Sequence, residues 1–233
     1  MDKAEFDKFA DEYEAMLGAS LTTSGEGAAF FAEYKIKDIV AEYFGEEGAA
    51  PKVVKVLDFG SGNGGSIPFV QKLIPQAELT CVDVSERSLE IAQRMFPDAA
   101  RFVHFDGVTL PFGDGSFDIA YAACVFHHID ITSHVQLLTQ LHRILRPGGC
   151  LFIFEHNPYN PLTVHVVNNC PFDENARLKR GAAMKKNLRA AGFTITKLAY
   201  RFFFPHGLRI FRPLEKALTW LPLGGQYYVL GRK

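Results

Sequence analysis

The sequence has few cysteines, almost no net charge and no long apolar run, and each of these shortages argues against a class of protein. Its 233 residues carry a formal net charge of −1, because 25 basic residues nearly balance 26 acidic ones. Without a basic excess, the chain lacks the electrostatic field typical of nucleic-acid-binding proteins, so no nucleic-acid partner is expected. No apolar stretch reaches the roughly 20 residues that cross a bilayer. The charged start of the chain also lacks the apolar core of a signal peptide.

The 4 cysteines are too scattered to suggest a disulfide framework or a metal site. Cys81, Cys124 and Cys150 fall in or beside predicted strands, and Cys170 stands alone. We expect buried, reduced thiols, no metal ligand set and a cytoplasmic enzyme. Hydrophobic residues make up 48% of the chain, which is enough for the core of a single large domain spanning residues 1–233.

A strand followed by a glycine-rich turn organises the chain. Residues 53–58 form a short β-branched run that predicts a buried strand, and a helix is expected from Ser66. Gly60, Gly62 and Gly65 have the G-x-G-x-x-G spacing of dinucleotide sites. Asp58 argues for a different ligand, because a carboxylate at the strand tip repels phosphate and attracts a cation. S-adenosylmethionine (SAM) has an ammonium and a sulfonium group and no phosphate.

Three motifs carry a resemblance to a known family. Residues 58–64, D-F-G-S-G-N-G, resemble motif I of the class I SAM-dependent methyltransferases. Residues 110–118, L-P-F-G-D-G-S-F-D, and 145–149, L-R-P-G-G, are also similar to this family, so the resemblance covers residues 53–155. It implies an α/β fold, with a Rossmann-like seven-stranded, mostly parallel sheet, one antiparallel strand and helices on both faces. Further strands are predicted at 79–83, 101–105, 117–124 and 150–155.

The resemblance implies SAM as cofactor and assigns residues to its parts. An acid at the tip of the second strand, Asp83, can accept hydrogen bonds from both ribose hydroxyls. Asp106 is expected to meet the adenine amino group. The full set of expected cofactor contacts is Asp58, Gly60, Ser61, Gly62, Gly64, Asp83, Val84, Asp106, Gly107 and Ala123.

Candidate catalytic residues follow the fourth and fifth predicted strands, whose tips face the ligand crevice of an open parallel sheet. His127 or His128 could accept a proton from the substrate during methyl transfer, and His128 is favoured by analogy with the family. Glu155 is a third candidate. The alternative for the histidines is packing beside the cofactor or capping the next helix.

Candidate substrate contacts come from a loop and from the N-terminal helix. His156, Asn157 and Tyr159 provide an imidazole, an amide and a phenol after the fifth strand, although two Asn-Pro steps in this loop also fit a simple turn. Tyr13 lies in a predicted helix over residues 2–17 that either packs on the body or closes over the cofactor as a lid.

The chain divides into three parts within one domain. Residues 1–50 form a helical cap with a second helix at 28–44, residues 53–155 form the SAM-binding core, and residues 156–233 supply substrate-side loops, a helix at 182–191 and closing strands at 193–202 and 226–231. The insertion 203–225 carries Phe211, Leu214, Leu218 and Leu221 on one face of a short helix. That face predicts packing on the core or in a homodimer, or a surface that grips a lipid-linked or membrane-proximal substrate.

The function hypothesis is methyl transfer from SAM to a small-molecule acceptor by in-line displacement. A lipid-linked acceptor and RNA are the alternatives within the same chemistry, although no basic RNA-binding face is evident. An NAD(P)-dependent oxidoreductase and a noncatalytic SAM-binding protein are the alternatives from other classes.

Overall fold

The computed structural model of the chain describes residues 25–45 and 53–233. The predicted helix with Tyr13, and most of the linker before the first strand, lie outside the described residues. In the described part the helices are α1 (Ala28–Phe44), α2 (Ile67–Leu73), α3 (Glu86–Met95), α4 (His134–Ile144), α5 (Pro161–Asn168), α6 (Gly181–Ala190) and α7 (Glu215–Leu218). Short 3₁₀ segments occur at Phe126–His128, Ile131–Ser133, Pro171–Asp173 and His206–Leu214.

Seven strands form one sheet, as the resemblance implies. They are β1 (Val54–Phe59), β2 (Ala77–Asp83), β3 (Arg101–His104), β4 (Phe117–Ala123), β5 (Leu145–His156), β6 (Thr194–Arg201) and β7 (Gln226–Arg232). Their order across the sheet is β3-β2-β1-β4-β5-β7-β6. The pairs from β3 to β5 are parallel, whereas β7 is antiparallel to both of its neighbours. This is the predicted mostly parallel sheet with one antiparallel strand.

The central strands are buried on both faces because helices cover the sheet on each side. On β1, Leu57 and Phe59 belong to one apolar cluster, and Val56 belongs to another. The first cluster includes α4 and α6 side chains, and the second includes α1 and α2 side chains. A strand between two apolar layers has no polar face, which explains the β-branched run at residues 53–57.

Strand β5 begins earlier than its apolar run predicts. Leu145 already pairs with Phe117, and a register shift between Phe117 and Ile119 absorbs the extra residues. Downstream, the N–H of Gly148 donates to the carbonyl of Lys233 at 2.9 Å, and the N–H of Lys233 donates to Gly149 at 3.0 Å. Helix α4 therefore ends at Ile144, and the proline and the two glycines that follow already belong to β5.

Helix α1 has the bounds that its sequence pattern predicts and is fastened to the last two strands. The Arg201 Nε donates to Asp38 Oδ2 at 2.8 Å, and the Tyr228 hydroxyl donates to Glu42 Oε1 at 2.8 Å. Lys197 forms an ion pair with the same Glu42 carboxylate. These contacts hold the N-terminal cap helix against the antiparallel end of the sheet.

The insertion between β6 and β7 corrects one prediction. Phe203 packs against the core, but six other apolar side chains do not and are 46–79% exposed: Leu208, Ile210, Phe211, Leu214, Trp220 and Leu223. We call these six side chains the apolar rim. Packing on the core is therefore wrong for Phe211 and Leu214, since the short segments 206–214 and 215–218 leave this face uncovered. Among the described residues, none of the helices has the length and apolar character to cross a membrane.

Candidate functional site

The carboxyl ends of the parallel strands gather the candidate residues along one edge of the sheet. Asp58 is near the end of β1, Asp83 ends β2, and Glu155 is near the end of β5. Because the strands from β3 to β5 are parallel, these carboxyl ends lie along one edge of the sheet, on either side of the switch point between β1 and β4, where ligands of such sheets bind. The prediction of one site at this edge rests on that topology.

Asp58 is a buried carboxylate that favours a cationic ligand. Its side chain accepts a hydrogen bond from the Ser66 hydroxyl, and the Tyr121 hydroxyl donates to the Ser66 oxygen at 3.0 Å. Burial raises the pKa of Asp58 to about 6, although these hydrogen bonds and the nearby Lys35 ammonium act in the opposite direction. A bound cation would offset the cost of holding this charge away from water.

The glycines after β1 have different tasks. At Gly60 the backbone φ is +75°, and an added Cβ would lie 2.6 Å from a Val125 methyl carbon, so this glycine allows the turn to pack on the sheet edge. Gly62 also has a positive φ, +51°, but a Cβ there would meet no atom within 4 Å. The adjacent Ser61 hydroxyl is buried beside the Cys81 thiol. The open space at Gly62 favours direct approach of a ligand.

Asp83 faces the site and also holds the glycine loop in place through a hydrogen bond. Its Oδ2 accepts from the N–H of Gly62 at 2.8 Å, and its Oδ1 accepts from Ser85 at 2.9 Å. Each carboxylate oxygen has a second lone pair, so these bonds leave capacity for a ribose hydroxyl. Val84 is buried behind it. Ser85 caps α3, accepting from the N–H of Ser88 at 3.0 Å.

Asp106 lies on an exposed turn after β3. Its Oδ1 accepts from the N–H groups of Val108 and Thr109, both at 2.8 Å, and these bonds hold the pKa of Asp106 below its usual value. Gly107 follows with a φ of +82°. The carboxylate is therefore charged and accessible, which an exocyclic amine donor requires. Ala123, half-buried at the end of β4, completes the set of expected cofactor residues.

The acidic strand tip, the open glycine and the two further acids fit a nucleoside that carries positive charge and no phosphate. Residues 56–149 match the family model described as a methyltransferase domain. The chain carries a class I, SAM-dependent methyltransferase domain. SAM is the cofactor of this class, and the residues described above fit its charges.

Similar proteins support this assignment. The chain is 33% identical over 112 residues to the demethylmenaquinone methyltransferase of Thermus thermophilus, covering 47% of this chain and 49% of that protein. It is 34% identical over 106 residues to the enzyme of the same name from Thermotoga maritima, covering 46% and 45%. The chain thus spans about half the length of the curated relatives it matches.

Solved structures extend the likeness of the fold to the whole chain. A SAM-dependent methyltransferase from Thermotoga maritima, described as a possible histamine N-methyltransferase, has a TM-score of 0.69 at 21% identity and covers 99% of both chains. Another SAM-dependent methyltransferase, from Aquifex aeolicus, has a TM-score of 0.63 at 15% identity and covers 100% of this chain and 98% of its own. At such identities the likeness shows the fold alone.

The three predicted catalytic residues meet in one buried cluster with an unforeseen fourth, Asp173. The Nδ1 of His127 lies 2.7 Å from Glu155 Oε2, and its Nε2 lies 3.4 Å from Asp173 Oδ1. His128 places its Nε2 3.3 Å from the same Asp173 oxygen. Glu155 Oε1 also accepts from the N–H groups of Val125 and Phe126, at 3.2 and 2.7 Å.

These contacts argue against proton removal by any of the three. Burial lowers the pKa of His127, but the flanking Glu155 and Asp173 carboxylates outweigh it and raise the pKa to about 10, so the imidazole already holds its proton. Burial, together with the charge of His127, lowers the pKa of His128 to about 3. Glu155 is also buried, but the charge of His127 lowers its pKa. A general base works best with a pKa near the working pH, and none of these groups has one.

Cys124 has the pKa that these groups lack. Burial opposes ionisation of this thiol, but the charges of Lys35 and His156, and a hydrogen bond with His156, outweigh burial and lower its pKa to about 7. Cys124 directly follows β4 with a φ of +61°, a left-handed conformation unusual outside glycine. The sequence pattern predicts only a buried thiol at Cys124. Its place at the tip of β4 is the signal that could have marked it as a site residue.

The predicted substrate loop contains both structural and accessible residues. Asn157 is fully buried, and its side-chain amide donates to the carbonyls of Pro222 and Gly224 at 3.1 and 2.7 Å, so its amide hydrogens are committed to the fold. Its carbonyl oxygen accepts from the N–H of Tyr159. Tyr159 itself is exposed, with the Arg180 guanidinium 5.1 Å from the centre of its ring.

His156 lines a pocket of mainly apolar side chains beside the cofactor edge. The remaining wall is formed by Phe31, Asn160, Leu162, Thr163, Val166, Phe202, Phe203, Pro205, Gly225 and Gln226. The Phe31 and Phe202 rings lie edge to face, 5.0 Å apart, and join α1 to the segment after β6. A substrate contact at His156 stays a prediction, and the wall around it is apolar rather than polar. The phenylalanines come from elements distant in the chain, so no local pattern could predict them here.

Proposed function

We propose that the protein transfers a methyl group from SAM to a small, lipophilic acceptor presented at a membrane surface. The observation that carries this proposal is the pocket lined by His156 and the two rings of Phe31 and Phe202, together with the apolar rim that follows it in the chain. Phe203 and Pro205 line the pocket, and the rim begins at Leu208. The apolar pocket wall and the apolar rim are thus close neighbours in the chain.

Exposure of the rim needs a physical explanation. Large contiguous apolar surface on a protein marks a site that meets another apolar surface. Ile210 is 79% exposed and Trp220 is 72% exposed. Exposure of such side chains is costly in water and favourable at a lipid interface. Arg209 and Lys216 lie in the same segment and suit anionic headgroups.

The relatives support an acceptor of this kind. The two curated relatives named above are both demethylmenaquinone methyltransferases, whose name denotes methylation of a quinone with a lipid tail. We therefore favour a quinol or a similarly apolar ring as acceptor over a charged metabolite or RNA. The 4 cysteines are all free, which fits a peripheral enzyme on the cytoplasmic face.

The chain supplies positioning and charge for the transfer. SAM supplies the methyl group from a sulfonium. Asp58 is placed to hold the ammonium end and Lys35, also buried, to face the carboxylate end, while Asp83 and Asp106 hold the nucleoside. Alignment and exclusion of water carry much of the rate, because charge is neutralised as the methyl group moves. We assign proton removal from the acceptor to the Cys124–His156 pair, in which Cys124 directly follows β4 and His156 lines the pocket.

Vesicle binding tests the membrane half of the proposal. The wild type should sediment with vesicles that contain anionic phosphatidylglycerol, and I210D/W220D should bind them at least about tenfold more weakly, because each buried apolar side chain is worth roughly 1.5–3 kcal/mol. The control M95D/V135D adds the same charge at exposed apolar positions outside the rim. Equal vesicle binding by all three proteins would refute the role of the rim.

Turnover tests the chemical half. With labelled SAM, the wild type should methylate demethylmenaquinol or a related quinol in vesicles faster than tail-less analogues, histamine or tRNA. In I210D/W220D the rate on the vesicle-bound acceptor should fall, while the rate on a tail-less analogue should not. Preference for a soluble amine or RNA would contradict the acceptor class. A dimer that covers the rim, seen by size-exclusion chromatography and abolished by I210D/W220D, would make the rim an interface between copies instead.

A further inference from the structure

Two histidines and an aspartate form a cluster that the proposed methyl transfer does not use. We propose that His127, His128 and Asp173 form a binding site for a divalent transition-metal ion such as zinc. The ligand atoms are one imidazole nitrogen from each histidine and an oxygen of the carboxylate, and they all lie within 4.8 Å of one another. In residues 25–45 and 53–233 no other group of three such side chains converges in this way.

The distances match metal coordination. Asp173 Oδ1 lies 3.4 Å from His127 Nε2 and 3.3 Å from His128 Nε2. Bonds of about 2.0–2.1 Å from nitrogen or oxygen to a tetrahedral zinc ion place two ligands roughly 3.3 Å apart. The same separations exceed the usual 2.7–3.2 Å range of an N–H···O hydrogen bond. The three atoms can therefore converge on one ion with only small shifts.

The surroundings of His127 are those of a metal-bound imidazole. Its second nitrogen, Nδ1, lies 2.7 Å from Glu155 Oε2, and Glu155 is in turn fixed by two backbone N–H groups. A carboxylate that accepts from Nδ1–H sets the tautomer, leaving the Nε2 lone pair for a metal. The site thus has ligands and an outer carboxylate that orients one of them.

Charge and connectivity add to the geometry. The side chains of Glu155 and Asp173 are 2% and 12% exposed, so two carboxylates are held near each other out of water. A divalent cation with two neutral imidazoles would balance them. The ligands come from the separate 3₁₀ segments Phe126–His128 and Pro171–Asp173, so one ion would fasten the second segment to the tip of β4. Three protein ligands leave a fourth position open for water.

Metal titration of the whole protein tests the site. Chelator-treated wild type should take up one equivalent of zinc, measured by mass spectrometry of the metal content, and one equivalent of cobalt(II), seen as visible bands of tetrahedral intensity. H128Q and D173N should bind cobalt at least about tenfold more weakly, and E155Q about 10–100-fold more weakly, as for other outer carboxylates. H165Q, which removes an exposed histidine outside the cluster, should bind like the wild type.

The outcomes separate this proposal from the proposed function. SAM binding, measured by calorimetry on the same preparations, reports folding and the cofactor site independently. Wild type that binds SAM but retains no zinc or cobalt overturns the metal site, and the cluster is then a hydrogen-bonded network around a protonated His127. Equal cobalt affinity in the wild type, H128Q and D173N overturns it as well.

Discussion

At the scale of single residues, the site depends on charges held out of water. Asp58 is 2% exposed, and burial raises its pKa to about 6. In the unfolded chain the same group has a pKa of about 3.9, so the folded state binds more protons between these values. Stability of the SAM-free protein therefore falls as the pH rises from about 4 to 6, and the full cost is present above this window. A cationic ligand recovers that cost.

Replacement of Asp58 by its amide should separate stability from binding. At pH 7.5, D58N removes the buried charge. Because burial raises the Asp58 pKa from about 4 to about 6, this charge costs about 3 kcal/mol of folding stability, so the SAM-free variant should melt at a higher temperature than the wild type. Affinity for SAM should fall about 10–100-fold, because a charge-assisted contact is lost. Differential scanning fluorimetry and calorimetry measure the two effects. The control is D98N at the exposed Asp98, which should change neither the melting temperature nor the SAM affinity. Unchanged SAM affinity in D58N would contradict the role of the carboxylate.

Gly60 and Gly62 of motif I should respond differently to replacement by alanine. G60A forces a Cβ to within 2.6 Å of Val125 and should destabilise the protein by at least about 2 kcal/mol in urea denaturation. The second change V125A should recover part of this loss. G62A meets no protein atom and should cost only about 1–2 kcal/mol for its backbone conformation, yet weaken SAM binding. The reverse order, with G60A mild and G62A unable to fold, would refute this division of roles.

Cys124 should control the pH dependence of turnover. If its thiolate accepts the proton, kcat/KM rises with pH up to about 7 and is flat above it, since only the ionised thiol is active. C124S should lower the plateau by about 10²–10⁴-fold and remove the inflection, because a hydroxyl does not ionise in this range. SAM affinity in C124S should stay near that of the wild type. A retained inflection near pH 7 in C124S would place the proton acceptor elsewhere.

At the scale of elements, the cap helix α1 is held to the sheet by charges as well as by apolar packing. Its side chains Ile36 and Ile39 are buried, and the Arg201–Asp38 pair is largely removed from water, with side chains 21% and 13% exposed. Burial raises the pKa of Asp38 to about 6 even though the Arg201 charge lowers it. Removal of one partner leaves the other buried and unpaired, which costs more than the pair contributes.

Substitution within this pair tests how α1 is attached. R201M should destabilise the protein by about 3 kcal/mol because Asp38 is left without its counter-charge, and the double variant D38N/R201M should recover most of that loss. Urea denaturation measures both. R177M provides the control, because Arg177 and Asp130 are 67% and 54% exposed and 4.0 Å apart; it should change stability by less than about 0.5 kcal/mol. A double variant no more stable than R201M would show that apolar packing is what the arginine supplies.

At the scale of the whole molecule, one sheet edge serves both proposed ligands. The cofactor residues lie at the ends of β1 to β4, and the pocket lies where β5 and β7 meet α1 and the insertion. The pocket is therefore built by elements from both halves of the chain. Binding should stabilise the fold as a unit rather than a single loop.

Thermal shifts should distinguish SAM from NAD as the ligand of this site. At 100 times its dissociation constant SAM adds about 2.7 kcal/mol of stability, which corresponds to a Tm rise of roughly 5–10 °C for a domain of this size. NAD should produce no shift at the same concentration, because its pyrophosphate would meet the Asp58 carboxylate. A shift with NAD and none with SAM would overturn the assignment of the cofactor.

The sequence by itself determined the order of strands and helices, the glycine turn after β1 and the acids at the strand tips, because these depend on local patterns of apolar residues, turns and caps. It also placed His127, His128 and Glu155 at the correct edge. Only the tertiary structure decided their environment: Glu155 and Asp173 flank His127 and raise its pKa, whereas burial and the charge of His127 lower the pKa of His128. The exposure of the insertion was likewise decided by packing, since an amphipathic pattern shows that a face exists and not whether anything covers it.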